Sequence, residues 1–419
     1  MRTRSTRPAG FDRAADATRP RLLWRLLALA VASAVVLATA AAVPAPAGAP
    51  AATGTSTEPS SVSPAAPASS APSAPSALAV PAEPAVLPEG VVDLPVEFTV
   101  DNVDRSRARC SADGEGYTVR GHLTAPASVL DDEAPAVMLL VHGTNTGEWI
   151  WRLDVQGRNF VHELAARGYA SVTIDRLGYG SSDIPDGFAS CSGAHSDIAH
   201  QVVEQLRAGD YELDSGHSRA PRSPVSFDTV FAGGHSSGAL VAETAAVSFG
   251  GVDGLFLTGW AAVGVTTDTN RRFLTAYETC LGGGEPHTEP GDPTGYVRFD
   301  ATIEDFLEGG LGPSADPAVT AAVEELWGPN PCGVMVSEPM AILYDLDLIG
   351  EIDVPVHLVF GSLDVLRQGV EGYPGLFTSS PAVTHTTLGD AGHFVTVDEG
   401  SERVYDEAAE WMERHTRTP

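Results

Sequence analysis

The sequence contains no lysine. All 25 of its basic residues are arginine, set against 55 aspartates and glutamates, which gives a formal charge of −30 over 419 residues. Seven of the arginines fall within Arg2–Arg25, so the rest of the chain is more acidic still. A body of that sign repels nucleic acid and anionic lipid surfaces and stays dissolved by self-repulsion, which argues against nucleic acid as a partner. Cysteine is scarce: Cys110, Cys191, Cys280 and Cys332 are the whole set. Neither a Cys-x-x-Cys pair nor a His-Glu-x-x-His helix occurs, so no metal is implied. Internal repeats are missing as well. What is plentiful is apolar surface, 43% of residues, enough for a sizeable core and against global disorder.

The N-terminus has the charged, apolar, small-residue order of a secretory signal, assigned to residues 1–49. The arginines precede an uncharged apolar run from Leu26 to Val43, followed by Ala45-Pro46-Ala47 and Ala47-Gly48-Ala49. No adjacent arginine pair stands before the run and no cysteine follows it, so neither a twin-arginine signal nor a lipoprotein anchor is supported. Uncleaved, the same run is close to the minimum for a membrane anchor. Either way the arginines stay inside and the body lies outside the cytoplasm, with membrane contact required only if the segment is retained. Residues 50–90 are dominated by Ala, Pro and Ser and read as an extended linker. That leaves 91–419 for one large domain.

From Val96 onward strand-like and helix-like segments alternate, the pattern of a mostly parallel sheet flanked by helices. Val96–Asn102 and Tyr117–Ala125 read as an opening antiparallel pair, and Ala136–Val141 as a strand buried on both faces. Ala170–Ile174, Thr229–Ala232, Gly254–Thr258, Val356–Phe360 and Thr384–Leu388 continue the strands. Asn159–Ala166, His195–Arg207, Ser237–Phe249 and Glu402–Arg414 read as helices. The alternation stops over about 261–350, where Gly and Pro break the chain and Ala318–Leu326 is one of the few helical pieces. This stretch is expected to form a cap over the active face.

Four motifs stand just past strand ends, where ligands bind in open α/β sheets. Gly234-His235-Ser236-Ser237-Gly238 is a G-x-S-x-G between a strand and a helix. The sharp turn lifts the serine oxygen clear, and small neighbours allow strand and helix to approach. Val141-His142-Gly143-Thr144 follows the buried strand, Gly361-Ser362-Leu363-Asp364 follows Val356–Phe360, and Ala391-Gly392-His393-Phe394 follows the last strand. Together these segments resemble the α/β-hydrolase family, as does Asp175-Arg176-Leu177-Gly178-Tyr179-Gly180-Ser181-Ser182, read as a scaffold loop. The likeness spans roughly Val96 to Arg414, leaving the cap and N-terminus unmatched.

The resemblance implies an α/β-hydrolase fold with a triad of Ser236 as nucleophile, His393 as base and Asp364 as orienting acid, in the family's Ser…Asp…His order. It also implies an oxyanion hole from the backbone N–H groups of Thr144 and Ser237, the latter at a helix start. His142 reads as a structural loop residue. Neutral His393 takes the Ser236 proton as the serine attacks a carbonyl carbon, and water later releases the acyl group. No cofactor is implied. Ser at 236 excludes the Asp- and Cys-nucleophile branches, and Ser237 departs from the Trp usual in family aminopeptidases. A secreted enzyme acting on a small-molecule carboxylic ester is therefore expected. A peptidase, thioesterase or perhydrolase shares the chemistry, and a non-catalytic binding protein is the alternative of another class. Trp260, Phe299, Phe306, Trp327 and Tyr344 fit either a pocket lining or the cap's own core. An exported chain with an even cysteine count suggests two disulfides, Cys280–Cys332 and Cys110–Cys191 being favoured among three pairings.

Overall fold

The computed structural model describes residues 87–131, 135–213, 223–286 and 293–416. The expected signal and nearly all of the linker lie outside the described residues. Nine strands form one sheet in the order β11-β10-β7-β6-β3-β4-β2-β1-β5. These are β1 (Val91–Asp101), β2 (Gly116–Pro126), β3 (Ala136–Val141), β4 (Ala170–Ile174), β5 (Glu212–Leu213), β6 (Thr229–His235), β7 (Leu255–Thr258), β10 (Val356–Gly361) and β11 (Val383–Leu388). From β11 to β4 every neighbour is parallel. From β4 through β2 and β1 to β5 every neighbour is antiparallel.

The central strand shows why the sheet is covered on both sides. All six residues of β3 are buried. Val137, Leu139 and Val141 point into one core, shared with Leu240 and Ala245 of the helix Ser237–Phe249. Met138 and Leu140 point into a second, shared with Phe160 of the helix Phe160–Ala166 and Trp411 of the helix Ser401–His415. A period of two along one strand feeds two layers of helix, the logic of a three-layer α/β domain.

The sequence places the first strand at Val96–Asn102, but it begins at Val91 and pairs with β2 residue by residue from Val91–Pro126 onward. Pro95 suggests a later start because proline offers no N–H to a ladder. It is tolerated because the other side of β1 is paired only at Val96 and Glu97.

Among the described residues between β7 and β10 lie four α-helices, Thr267–Leu281, Ile303–Gly310, Pro317–Glu325 and Cys332–Leu348. A two-residue ladder joins β8 (Tyr296–Val297) to β9 (Asn330–Pro331). The sequence reading found one of these helices. This insertion also has a small core of its own, around Ala276, Cys280, Phe299, Cys332 and Met335.

Both favoured disulfides are present. Cys280–Cys332 clips the first insertion helix to the last, and Cys110–Cys191 ties the segment after β1 to the start of the helix Ser192–Ala208. No helix among the described residues is long and apolar enough to cross a membrane. Closing a separation of 52 residues, the insertion disulfide restrains the unfolded chain by about 4 kcal/mol in the chain-entropy model. Replacing Cys280 and Cys332 with serine is expected to loosen the insertion before the sheet. Limited proteolysis of that variant should cut within 267–348 first, with up to about that loss of stability in urea.

Candidate active site

The site begins where β6 ends. Ser236 has φ 52° and ψ −124°, a left-handed-side conformation that a side chain rarely adopts, and the helix starts at Ser237. Such a residue costs about 1–3 kcal/mol and persists only where its surroundings hold it. Here the hold is a backbone approach. A Cβ added at Gly238 would lie 2.3 Å from the carbonyl oxygen of Val141 and 2.5 Å from that of His142. Only glycine lets this helix start press against the end of β3.

The acid and the imidazole come from neighbouring strands, β10 and β11. A Cβ at Gly361 would fall 1.9 Å from the carbonyl oxygen of Gly392, so the two loops touch backbone to backbone. That approach brings His393 to Asp364: Nδ1–H donates to Oδ2 at 2.7 Å. The other carboxylate oxygen accepts the N–H groups of Leu366 (2.8 Å) and Arg367 (3.2 Å). The histidine loop is pinned separately. One oxygen of Asp398 accepts Gly392 N–H and Gly312 N–H, each at 2.6 Å, and Phe394 N–H reaches Gly310 O at 2.7 Å. With Nδ1 donating, Nε2 of a neutral ring carries the lone pair.

Ser236, His393 and Thr144 line one cleft together with Phe299, Phe306 and Arg367, its empty volume about 460 Å³ with the mouth included. The hydroxyls of Thr144 and Ser237 are 2.9 Å apart, so the two residues expected to supply oxyanion donors are neighbours. His142 is spoken for: Nδ1–H donates to Gly143 O at 2.9 Å and Nε2 accepts Arg176 N–H at 3.0 Å. Burial, with Arg176 nearby, pulls its pKa well below the ordinary range. His235, its ring centre 4.9 Å from that of His393, is likewise held neutral by burial. Neither is placed to compete as a base. Asp175 in the scaffold loop accepts Glu148 N–H and Ser181 N–H at 2.8 and 2.7 Å.

A family profile described as the alpha/beta hydrolase family matches residues 138–407, more than half of the chain. The chain belongs to the alpha/beta hydrolase family. Among solved structures it is similar to a thermophilic esterase from Thermogutta terrifontis, at 19% identity and TM-score 0.53 over 76% of this chain and 100% of that one. A soluble variant of monoglyceride lipase from Saccharomyces cerevisiae gives 17% and 0.51 over 76% and 96%. An enol-lactonase from Burkholderia xenovorans gives 15% and 0.51 over 71% and 97%. At such identities the likeness is one of fold. No curated protein sequence matches the chain.

Within this hydrolase fold, several residues that sequence reasoning missed converge on the cleft from the insertion. Asn145 (φ 57°) donates its N–H to Asn330 Oδ1 at 2.7 Å and its amide to Asp300 at 2.6 Å, and accepts Phe299 N–H at 3.0 Å. Asp300 is in turn paired with Arg272. The loop carrying Thr144 is thus tied to the insertion by buried polar bonds. Of the aromatic candidates, Phe299 and Phe306 line the cleft. Trp260 lies in the main core, Trp327 faces a separate groove with Trp149 and Tyr179, and Tyr344 is exposed.

Beneath the cleft, Glu243 accepts Trp260 Nε1–H at 2.9 Å and the Tyr373 hydroxyl at 2.9 Å, with Asp345 alongside. Burial, and for Glu243 the neighbouring Asp345, pushes both carboxyls up: Asp345 to about 7, Glu243 well above its usual range. The folded pair therefore keeps protons that the unfolded chain releases near pH 4. Its contribution to stability is complete below that pH and is lost as pH rises towards about 7 and beyond. Each retained proton steepens the fall by about 1.4 kcal/mol per pH unit. Asp345→Asn is expected to flatten that slope and to exceed the wild type in urea resistance at pH 8, as paired denaturation curves at pH 5 and pH 8 would measure.

Proposed function

We propose that this hydrolase cleaves carboxylic esters through Ser236, His393 and Asp364. The observation that carries the reading is the 2.7 Å bond from His393 to Asp364, facing the cleft that Ser236 also lines. Asp364 fixes the ring so that Nε2 is the free base and stabilises the imidazolium once it forms. Nε2 takes the hydroxyl proton as Ser236 Oγ bonds to the carbonyl carbon, and returns it to the leaving alcohol. Water then attacks the acyl-enzyme with the same base, releasing the acid and restoring Ser236. Thr144 and Ser237 N–H groups would hold the negative oxygen in both steps.

The same reading places the enzyme outside the cytoplasm, exported by the N-terminal segment. Two disulfides support that location, since such bonds persist in oxidising compartments, and so does the charged-then-apolar order of the N-terminus. The substrate on this reading is a small-molecule ester, and the chain's strong negative charge speaks against nucleic acid.

Ser236→Ala is expected to abolish hydrolysis of chromogenic short-chain esters and labelling by a fluorophosphonate probe, with an unchanged circular dichroism spectrum. Asp364→Asn should lower kcat/KM by about 10⁴-fold, and combining it with His393→Ala should cost little more than the worse single change. Labelling of Ser236→Ala at the wild-type rate would remove that serine from the mechanism. A wild type that neither labels nor turns over any ester would point to a binding protein on this fold.

A further inference from the structure

Besides Asp300, which Arg272 and Asn145 already hold, the cleft is lined by two ionisable side chains that the proposed reaction does not use. Arg367, 8% exposed, lies with its guanidinium over the Trp260 ring, 4.4 Å from the ring centre. Among the described residues its Nε and Nη1 have no hydrogen-bond partner, and the guanidinium makes no ion pair. Glu338, 2% exposed, leaves Oε2 without a partner. Both line the same cleft as Ser236 and His393.

A guanidinium stays charged at any pH the protein tolerates, so Arg367 cannot escape burial by losing a proton. Stacking on an indole offsets part of the desolvation, and Asp364 and Glu338 are near enough to favour the charge, but neither bonds to the guanidinium, whose buried N–H groups stay unpaired at a cost. Its planar fork suits a carboxylate, taken by two parallel N–H bonds. We propose that Arg367 anchors a carboxylate carried by the substrate, so that the ester cleaved at Ser236 is an anionic one. This rests on the reading of Ser236 as nucleophile and adds the substrate class.

Glu338 fits the same occupant. Burial pushes its carboxyl up to about 7. Beside an incoming anion it holds its proton and donates to the ligand instead of repelling it. A phosphate dianion would match the fork too, but it would bring a second negative charge towards the Asp364 carboxylate. Phe299 and Phe306 supply apolar wall for the carbon chain between the carboxylate and the ester. A rival role for Arg367 is to steady Asp364, onto which its backbone N–H already bonds. That role would affect neutral and charged substrates alike.

The test measures kcat/KM of the full chain by pH-stat on two matched pairs. One carries the charge on the acyl side, monomethyl glutarate against methyl pentanoate. The other carries it on the alcohol side, 4-acetoxybutanoate against butyl acetate. In one pair the wild type should favour the anion, and Arg367→Met should lower the anion-to-neutral ratio by about 30- to 1,000-fold. Arg367→Lys, which keeps the charge and loses the fork, should fall between.

A wild type that favours the neutral member of both pairs would overturn the proposal. So would an Arg367→Met variant that lowers both members equally, the mark of a positioning residue. Should Arg367→Met fail to fold, Arg367→Gln carries the same comparison. Independently, glutarate should raise the melting temperature of Ser236→Ala but not of Ser236→Ala combined with the Arg367 change. Equal shifts in both would refute the anchor, even in a protein that hydrolyses none of these esters. If Ser236→Ala still cleaves methyl pentanoate at the wild-type rate, the nucleophile is what has failed. Ser236-dependent cleavage with no charge preference refutes the Arg367 anchor alone.

Discussion

The loops that follow β3, β6, β10 and β11 must pack backbone against backbone, and the site depends on that approach. At Gly238 the neighbours are the carbonyl oxygens of Val141 and His142, and at Gly361 the neighbour is the carbonyl oxygen of Gly392. A side chain at either position would push two loops apart by more than a hydrogen bond can stretch. The parallel sheet sets the strand ends in a row, and the glycines allow the loops beyond them to close. Asp364 and His393, 29 residues apart in sequence, then meet at 2.7 Å with both side chains almost fully buried. Low local dielectric makes that bond stronger than it would be in water, and it also makes misplacement more costly.

Much of this was legible from the chain alone, for identifiable reasons. β3 reads as a strand because all of its residues are apolar, and a strand buried on both faces needs them to be. Ser236, Asp364 and His393 are conspicuous because each follows a strand within a short glycine-bearing motif. The insertion was far less legible. Its longest helix, Cys332–Leu348, contains Pro339, which breaks a sequence reading although the helix continues through it. The bond network of Asn145 with Asn330 spans 185 positions and leaves no periodic trace. Glu338 and Asp345 did leave one. They lie on the same helical stripe as Val334, Met335 and Ala341, all buried, so a carboxylate on an apolar face was the available signal. Arg367 carried no comparable mark, since an arginine in a loop reads as surface until the fold closes over it.

The cleft walls therefore differ in kind from the sheet beneath them. The sheet and its two helix layers bury aliphatic and aromatic side chains, each contributing favourably on its own. The insertion is held to the sheet by Asn145, Asp300, Arg272 and Asp398, groups that stabilise only when every partner is in place. Glu338, Arg367, Glu243 and Asp345 add buried ionisable groups whose partners are incomplete or shared. Such an arrangement detracts from stability and gains definition: the loop carrying Thr144 and the loop carrying His393 are each fixed by polar bonds from the insertion.

One of the two disulfides lies within this insertion. Cys280–Cys332 joins the two insertion helices that flank the polar interior and sits inside the insertion's own small apolar core. A covalent restraint acts mainly on the unfolded chain, so it can offset the cost of buried charge without altering the charges themselves. The surface presents the opposite electrostatic problem. With 55 acidic residues the chain repels anions at long range, while salt screens that repulsion within about 8 Å at physiological ionic strength. A guanidinium held inside the cleft acts below that distance, where screening by salt is weak and the local partner decides the sign. Strong negative charge outside and a buried guanidinium within are thus compatible, because water and salt separate the two scales.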